Sequence, residues 1–348
     1  MSWVPCATPV KPLRKLEWSS LFAFDNRLKN DIYKSMTSQP NPSQALAACL
    51  TRAASRQTYY TIRFLADQDR RMAAYEAYAY FRWVDDVLDE QAGTPVEKAA
   101  FIQRQVDLLE ACSHGQMPAG LTNEERMLAD LLERDHQPGS GLQAYLTNMM
   151  AVLTFDASRR GQVVSQAQLE QYTSQLALAV TEALHYFIGH EQPAPLHPDR
   201  YLAVSAAHIT HMLRDFTEDL QTGYFNLPGE WLKAKKLQPG TVHAADIRDW
   251  VCERVKTARD YFQAGRRLLA GDPCLRRRLA GCAYLARFEW MLERIEQDTY
   301  TLCDSYPARK SLPAALWMVI HTLESFFINP ARLGHPNQTK PTRPVSQP

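Results

Sequence analysis

The sequence predicts an all-α fold, a single large helical domain with a central cavity. Long segments repeat their apolar residues at helical spacing, whereas the alternating pattern of strands is scarce. Only 14 glycines occur in 348 residues, and 45% of the residues are hydrophobic, enough for a substantial core. Long helices packed around one centre can enclose a deep cavity.

Prolines and glycines divide the chain into ten predicted helices. Examples of these breaks are Gly93-Thr94-Pro95, Gln192-Pro193-Ala194-Pro195 and Pro228-Gly229. The predicted helices are 43–66, 69–91, 95–113, 122–135, 140–158, 165–190, 198–221, 243–270, 274–304 and 311–328.

The two ends of the chain differ in composition from its middle. Residues 1–42 contain several prolines and predict an irregular lead. Residues 330–348 are polar and rich in proline, which predicts a disordered tail. The helical domain is therefore expected over residues 43–329.

Charge, cysteine content and glycine motifs exclude several classes of function. The net charge is +1, and no basic run is interleaved with aromatic residues, so no nucleic-acid partner is expected. Neither GxGxxG nor GxxxxGK[ST] occurs, which argues against a dinucleotide-binding turn or a P-loop. Seven cysteines, odd in number and without a CxxC pair, predict free thiols in a reducing compartment.

No segment has the character of a signal peptide or a membrane span. The N-terminal residues lack an apolar core, and no stretch of 18 apolar residues exists. The nearest candidate, residues 314–328, is interrupted by His321 and Glu324 and is typical of an amphipathic helix. A soluble, cytoplasmic protein is therefore expected.

The first charged cluster is FRWVDDVLDE, residues 81–90. On a helix Asp85 and Asp89 share a face, because residues four apart are neighbours. Arg82 and Tyr78 extend the same face. This pattern is compatible either with a solvated acidic helix end or with a site that uses the carboxylates.

The second charged cluster is HITHMLRDFTED, residues 208–219. Asp215 and Asp219 repeat the four-residue spacing, and Arg214 again precedes the first aspartate. Two helices, about 130 residues apart in the chain, thus carry the same arginine and DxxxD arrangement. Such a repetition favours a shared chemical role over coincidence.

Two histidines lie on the same predicted face of the second cluster. His208, His211 and Asp215 are spaced at i, i+3 and i+7. The cluster could be a solvated helix face, a His/Asp site for a transition metal, or a carboxylate site for a hard cation.

Paired DxxxD motifs suit magnesium and a diphosphate. Carboxylates on two helices can hold Mg²⁺, which keeps several waters and prefers to bridge carboxylate to phosphate. Nearby arginines supply forked donors for the remaining phosphate oxygens. The metal would take up charge as a diphosphate departs. An apolar helical cavity would accommodate a substrate with a hydrocarbon tail.

In these two charged clusters the chain resembles the squalene/phytoene synthases, which have the isoprenoid synthase fold. The resemblance runs from about Ser55 to Tyr300 and rests on two long motifs, residues 55–90 and 208–232. They are similar to the family patterns Tyr-x-x-x-Arg-x-x-Asp-Asp-x-x-Asp and Arg-Asp-x-x-Glu-Asp followed by Gly and Leu-Pro-x-Glu. The matching residues are Tyr78, Arg82, Asp85, Asp89, Arg214, Asp215, Glu218, Asp219, Gly223, Leu227, Pro228 and Glu230.

The resemblance implies a role for each candidate site residue. It implies that Tyr172 faces a cationic intermediate, whose charge an aromatic face can stabilise. NADPH is implied only if the product is reduced. The implied Mg²⁺ ligands are Asp85, Asp89, Asp215 and Asp219. The implied diphosphate contacts are Arg56, Tyr78, Arg82, Arg214 and Lys310. The implied catalytic residues are Tyr172, Arg82 and Arg214, and two histidines of the second motif, His208 and His211, are further catalytic candidates on account of their own chemistry.

The chain also departs from the family pattern. His208 and His211 stand where a glutamine and an asparagine are usual, and could act as donors or as a base for proton loss. Leu178 and Thr181 replace glycines that let the prenyl chain pass close to the backbone. Thr58 replaces the usual phenylalanine.

The favoured function is a Mg²⁺-dependent head-to-head condensation of two C15 or C20 allylic diphosphates. The expected path leads through a cyclopropylcarbinyl diphosphate to a squalene- or phytoene-like product, with release of pyrophosphate. One alternative is a class I terpene synthase that acts on a single prenyl diphosphate. The other is a non-catalytic prenyl-binding or assembly protein. Products this apolar predict contact with a membrane surface, and the oligomeric state is left open.

Overall fold

The computed structural model describes residues 42–91, 94–192, 197–243 and 245–327. In these residues the regular elements are helices and no strand occurs, so the predicted all-α class is confirmed. The α-helices are α1 (Pro42–Ala54), α2 (Arg56–Leu65), α3 (Arg71–Asp86), α4 (Pro95–Ser113), α5 (Asn123–Arg134), α6 (Gly141–Arg159), α7 (Gln166–Phe187), α8 (Leu202–Arg214), α9 (Phe216–Thr222), α10 (Gly229–Lys235), α11 (Arg248–Gly271), α12 (Leu275–Gln297) and α13 (Leu312–Phe327). A π-helix, Val87–Gln91, follows α3.

The chain forms two compact units that divide after Ser158. The first carries the motif of residues 81–90, and the second carries the motif of residues 208–219. The predicted boundaries of a single helical domain stay a prediction. The predicted disordered tail and nearly all of the predicted irregular lead lie outside the described residues.

Several helix boundaries differ from the prediction for local reasons. The helix predicted over 43–66 breaks at Ser55, whose hydroxyl accepts a hydrogen bond from the Thr58 N–H and so caps a new helix. The helix predicted over 274–304 ends at Gln297, and Thr299 and Tyr300 have positive φ angles. Helix α10 was not predicted.

The core of the first unit holds α3 between α1 and α5. Tyr80 on α3 is fully buried, and its hydroxyl donates to Gln105 Oε1 at 3.0 Å. The Gln105 amide in turn donates to Glu125 at 3.2 Å. This chain of hydrogen bonds satisfies polar groups that would otherwise be costly to bury. It fixes α3, which ends at the first aspartate motif, against α4 and α5.

Helix α8, which leads into the second motif, packs against α7, α11 and α12. Ala206 and Ala207 on α8 are fully buried. At Gly265 on α11, an added Cβ would lie 2.5 Å from the Cβ of Ala203. Small residues therefore permit a close crossing of α8 and α11, and this crossing fixes the position of the motif.

A fully buried arginine joins the end of α7 to the start of α12. Arg277 forms a two-pronged ion pair with Asp272 and donates to the carbonyl oxygens of Ile188, Gly189 and Gln192 at 2.7–3.1 Å. The arginine satisfies backbone acceptors of the loop after α7 that would otherwise be buried without partners.

Replacing Arg277 with alanine is expected to lower the free energy of unfolding by about 3–5 kcal/mol, because Asp272 would be left as an unpaired buried charge. Denaturant unfolding followed by circular dichroism measures the change. The exposed neighbour Arg276→Ala is the matched control and should change stability by less than about 0.5 kcal/mol. Equal stability of the two variants would contradict the structural role of Arg277.

Among the described residues, no helix is long and apolar enough to cross a membrane.

Candidate active site

The first aspartate motif lies where α3 passes into the π-helix. Asp85 is in the last turn of α3, and Asp89 is in the π-helix Val87–Gln91. A continuous α-helix to residue 91 was predicted, and this prediction is wrong for the last turn. A π-turn is wider than an α-turn and is frequent at functional sites. It changes the direction of Asp89 relative to Asp85, which the spacing alone did not show.

Arg82 is the centre of the first motif. It is buried, and its guanidinium lies 3.1 Å from an Asp85 carboxylate oxygen. It also pairs closely with Asp86. The structure thus confirms that Arg82 and Asp85 share a face. Asp86, which was not among the predicted site residues, belongs to the same group through this ion pair. Asp89, in contrast, is exposed.

The electrostatics of Asp85 favour a cation at this place. Its side chain is 31% exposed. Burial, followed by the charge of Asp89, raises the pKa of Asp85 to about 8, although Arg82 acts in the opposite direction. Asp86 and Asp156 raise it further. A divalent cation would remove the mutual repulsion of these carboxylates, so the residues present fit Mg²⁺.

Tyr78 joins the start of α2 to the first motif. Burial raises the pKa of its hydroxyl, which hydrogen-bonds with Thr58 and Ser55. Thr58 also donates to the Ser55 hydroxyl at 2.8 Å. Arg56, the first residue of α2, is exposed. The structure brings Tyr78 and the Ser55 region together, as a shared diphosphate site would require.

The second motif spans the boundary of α8 and α9. Asp215 lies between the two helices, but its N–H still bonds to the His211 carbonyl at 3.0 Å. The helix predicted over 198–221 is therefore broken only locally. His211 Nε2 lies 2.8 Å from Asp215 Oδ2, and Arg214 Nε donates to Asp215 Oδ1 at 2.6 Å. The predicted common face of His211 and Asp215 is confirmed.

Asp215 is a carboxylate held in its charged form. Burial alone would raise its pKa, but the charge and hydrogen bonds directed at it by His211 and Arg214 hold the pKa below its usual value. Burial and the charge of Arg214 lower the pKa of His211 to about 4. At neutral pH His211 is therefore a neutral donor, and Arg214 supplies the positive charge.

No three histidine, cysteine, aspartate or glutamate side chains in the described part of the chain are placed to hold a metal ion by themselves. This includes His208, His211 and Asp215, so the arrangement does not favour the transition-metal alternative. Mg²⁺ has less need of a complete protein cage, because it takes waters and substrate phosphate oxygens together with one or two carboxylates.

Asp219 is connected to an arginine that the sequence did not single out. Asn226 donates to Asp219 Oδ2 at 2.7 Å, and Arg159 donates to Asn226 Oδ1 at 2.9 Å. The Arg159 guanidinium also lies over the rings of Tyr172 and Tyr224, at 5.2 and 5.1 Å from the centroids. Asn226 lies directly before Leu227 of the second motif and could have been noticed there. Arg159 carries no comparable local signal.

Tyr172 and His208 are in contact in the second unit. Both are buried, and their ring centroids are 4.8 Å apart at an interplanar angle of 70°. Tyr172 was expected to face a cationic intermediate, yet the Arg159 guanidinium lies over its ring. Part of its π system therefore already faces a cation.

The proposed diphosphate contact of Lys310 stays a prediction. The residue ends a short 3₁₀ helix, Pro307–Lys310, and its side chain lies outside the described part of the chain.

Comparison with known proteins identifies the family. The squalene/phytoene synthase profile matches residues 51–315, which is most of the chain and includes both aspartate motifs. The chain belongs to the squalene/phytoene synthase family. It is therefore a prenyltransferase, which argues against the non-catalytic alternative.

Individual relatives of this family member are distant. A presqualene diphosphate synthase of Rhodopseudomonas palustris is 24% identical over 221 residues, which cover 62% of this chain and 75% of the relative. The squalene synthase HpnC from Alicyclobacillus acidocaldarius has a TM-score of 0.60 at 18% identity, over 78% of this chain and all of the other. A dehydrosqualene synthase in complex with a ligand also has a TM-score of 0.60, at 17% identity, over 85% of this chain and 96% of the other. These two structures show the same fold.

Proposed function

We propose that this squalene/phytoene synthase family member condenses two C15 or C20 allylic diphosphates head to head. The reaction is Mg²⁺-dependent and passes through a cyclopropylcarbinyl diphosphate with release of pyrophosphate. The observation that carries the proposal is that each motif pairs an arginine with its own aspartate, Arg82 with Asp85 and Arg214 with Asp215. The presqualene diphosphate synthase among the relatives supports the same reaction.

The carboxylates of both motifs are the proposed magnesium ligands. These are Asp85, Asp89, Asp215 and Asp219. When bound there, Mg²⁺ would neutralise the charge that develops on the departing diphosphate. Asn226 orients the Asp219 carboxylate by its hydrogen bond, and Arg159 in turn holds the Asn226 amide.

The arginines of the two motifs have a second proposed task. With a cation bound at the aspartates, the carboxylate charge would be shared, and Arg82 and Arg214 would be held less tightly by their aspartates. Each guanidinium can then direct its N–H groups at diphosphate oxygens, for which its planar fork is well suited. Arg56 and Tyr78 are proposed to bind the same substrate class at the start of α2.

Cyclisation of a single prenyl diphosphate is the second candidate. Thr181, which stands where the family has a glycine, is buried, and Leu178 is half-buried. Their side chains add volume along α7, which could favour one substrate molecule over two.

Product analysis separates the two candidates. The protein is incubated with Mg²⁺ and labelled C10, C15 or C20 diphosphate, with and without NADPH, and the products are identified by mass. Condensation predicts a product with twice the carbon number of the substrate. A product with the same carbon number would contradict condensation and favour the cyclase. A change of product on addition of NADPH would show reduction.

A further inference from the structure

His208 is a buried imidazole whose ring nitrogens are not hydrogen-bonded by the part of the chain that the structure describes. Its residue is 5% exposed, and neither ring nitrogen has a hydrogen-bond partner among the described residues. Leaving a buried polar group unpaired costs on the order of 1–3 kcal/mol. Such a group calls for an explanation in terms of function.

The neighbours of His208 leave it in its neutral form. Burial lowers its pKa to about 3, and the nearby charges of Arg159 and Arg254 act in the same direction. At neutral pH one ring nitrogen therefore carries a lone pair that can accept a proton. Tyr172 packs edge-on against the ring, which fixes its orientation without a hydrogen bond.

Head-to-head condensation requires a proton acceptor. Loss of diphosphate from the first molecule leaves an allylic cation at C1, since the two electrons of the broken C–O bond leave with the diphosphate. The C2=C3 pair of the second molecule forms a bond to this carbon and leaves a tertiary cation at C3. The electron pair of a C–H bond at C1 of the first molecule then forms a bond to C3 of the second molecule. This bond closes the cyclopropane ring, and the proton of that C–H bond must leave. The balance is two allylic diphosphates giving one cyclopropylcarbinyl diphosphate, pyrophosphate and a proton.

We propose that His208 accepts the proton released when the cyclopropane ring closes. The proposal rests on the condensation proposed above and assigns to His208 a step within it. The imidazolium then returns its proton to solvent or to the released pyrophosphate. The low basicity of the buried imidazole does not hinder the step, because the carbocation that gives up the proton is a far stronger acid than the imidazolium that is formed.

Neighbouring polar groups are less suited to this task. Arg159 is a cation and has no lone pair to offer. His211 is engaged with Asp215 at 2.8 Å. The Tyr172 phenol is a weaker base than imidazole. Of these residues, His208 alone combines a free lone pair with burial.

The experiment compares wild type, His208→Phe and His208→Gln with Mg²⁺ and C15 diphosphate. Released pyrophosphate, coupled C30 diphosphate and C15 alcohol are quantified together. Phenylalanine preserves the edge-on packing against Tyr172, and glutamine is the usual family residue. The ratio of coupled product to released pyrophosphate is expected to fall on the order of 100-fold in both variants, which is the size of a general-base contribution. The C15 alcohol should rise, because water then captures the first cation.

Chemical rescue gives an independent readout. In His208→Ala, added imidazole should restore the coupled product per pyrophosphate in a concentration-dependent way, whereas a purely structural role of the ring would change all products together. A ratio in His208→Phe within twofold of wild type, or a failure of imidazole to raise the ratio in His208→Ala, would overturn the assignment. If wild type itself forms no coupled product, the condensation fails rather than the choice of His208.

Discussion

Replacing Asp215 with asparagine is expected to lower Mg²⁺-dependent pyrophosphate release by on the order of 1,000-fold. Asp215 is a half-buried carboxylate that Arg214 and His211 hold in its charged form. Asparagine has nearly the same shape but lacks the negative charge that a hard cation requires. The loss should therefore appear in turnover and in Mg²⁺ affinity, with the helical circular dichroism signal preserved.

The control for this variant is Asp260→Asn on α11. Asp260 is an exposed aspartate in the same unit, outside both motifs. Its replacement should leave pyrophosphate release within about twofold of wild type, because isolated surface charges contribute little. Turnover of Asp215→Asn within tenfold of the control would argue against Asp215 as a metal ligand.

Replacing Asp85 with asparagine is the second large expected effect, a loss of roughly 100- to 1,000-fold in turnover. The same residue predicts a pH dependence of magnesium binding. Since burial and the charge of Asp89 raise its pKa to about 8, a proton competes with the metal for this carboxyl at pH 7. A metal ligand must be deprotonated, so binding releases a proton. Apparent Mg²⁺ affinity should then rise up to about tenfold per pH unit below pH 8 and level off above it.

Titration calorimetry between pH 6 and 9, in buffers with different heats of protonation, measures both the affinity and the released protons. Asp85→Asn should bind Mg²⁺ more weakly and release fewer protons at pH 7. The exposed Asp69→Asn should behave as wild type. Equal proton release by Asp85→Asn and wild type would assign the titration to another group.

The raised pKa of Asp85 also affects folding. Folding raises the pKa of this carboxyl from the ordinary aspartate value of 3.8 to about 8, chiefly because its charged form is buried. Burial of its charged form is unfavourable, so its contribution to stability is present at low pH and is lost as the pH rises through about 8. Mg²⁺ should restore stability above that pH, since it binds the folded state. Replacing Asp85 with asparagine should reduce this pH dependence, which thermal unfolding at several pH values measures.

Much of the site could be predicted because its residues are close along the chain. Helical spacing placed Arg82 near Asp85 and His211 near Asp215, and both contacts are present. The π-turn at Asp89 could not be predicted from spacing. Asn226 and Arg159 were missed because their link to Asp219 depends on how the chain folds back after α9.

The sequence by itself determined the helical class, the two aspartate motifs and the family, because helical periodicity and short-range spacing are local properties of the chain. Only the tertiary structure decided which partners these residues have. It showed that Arg214 donates to Asp215 and that Asn226 donates to Asp219. It also showed that His208 is buried beside Tyr172, with no hydrogen-bond partner for its ring nitrogens among the described residues. The physical reason is that burial, and with it the pKa of each group, depends on side chains brought together from distant helices.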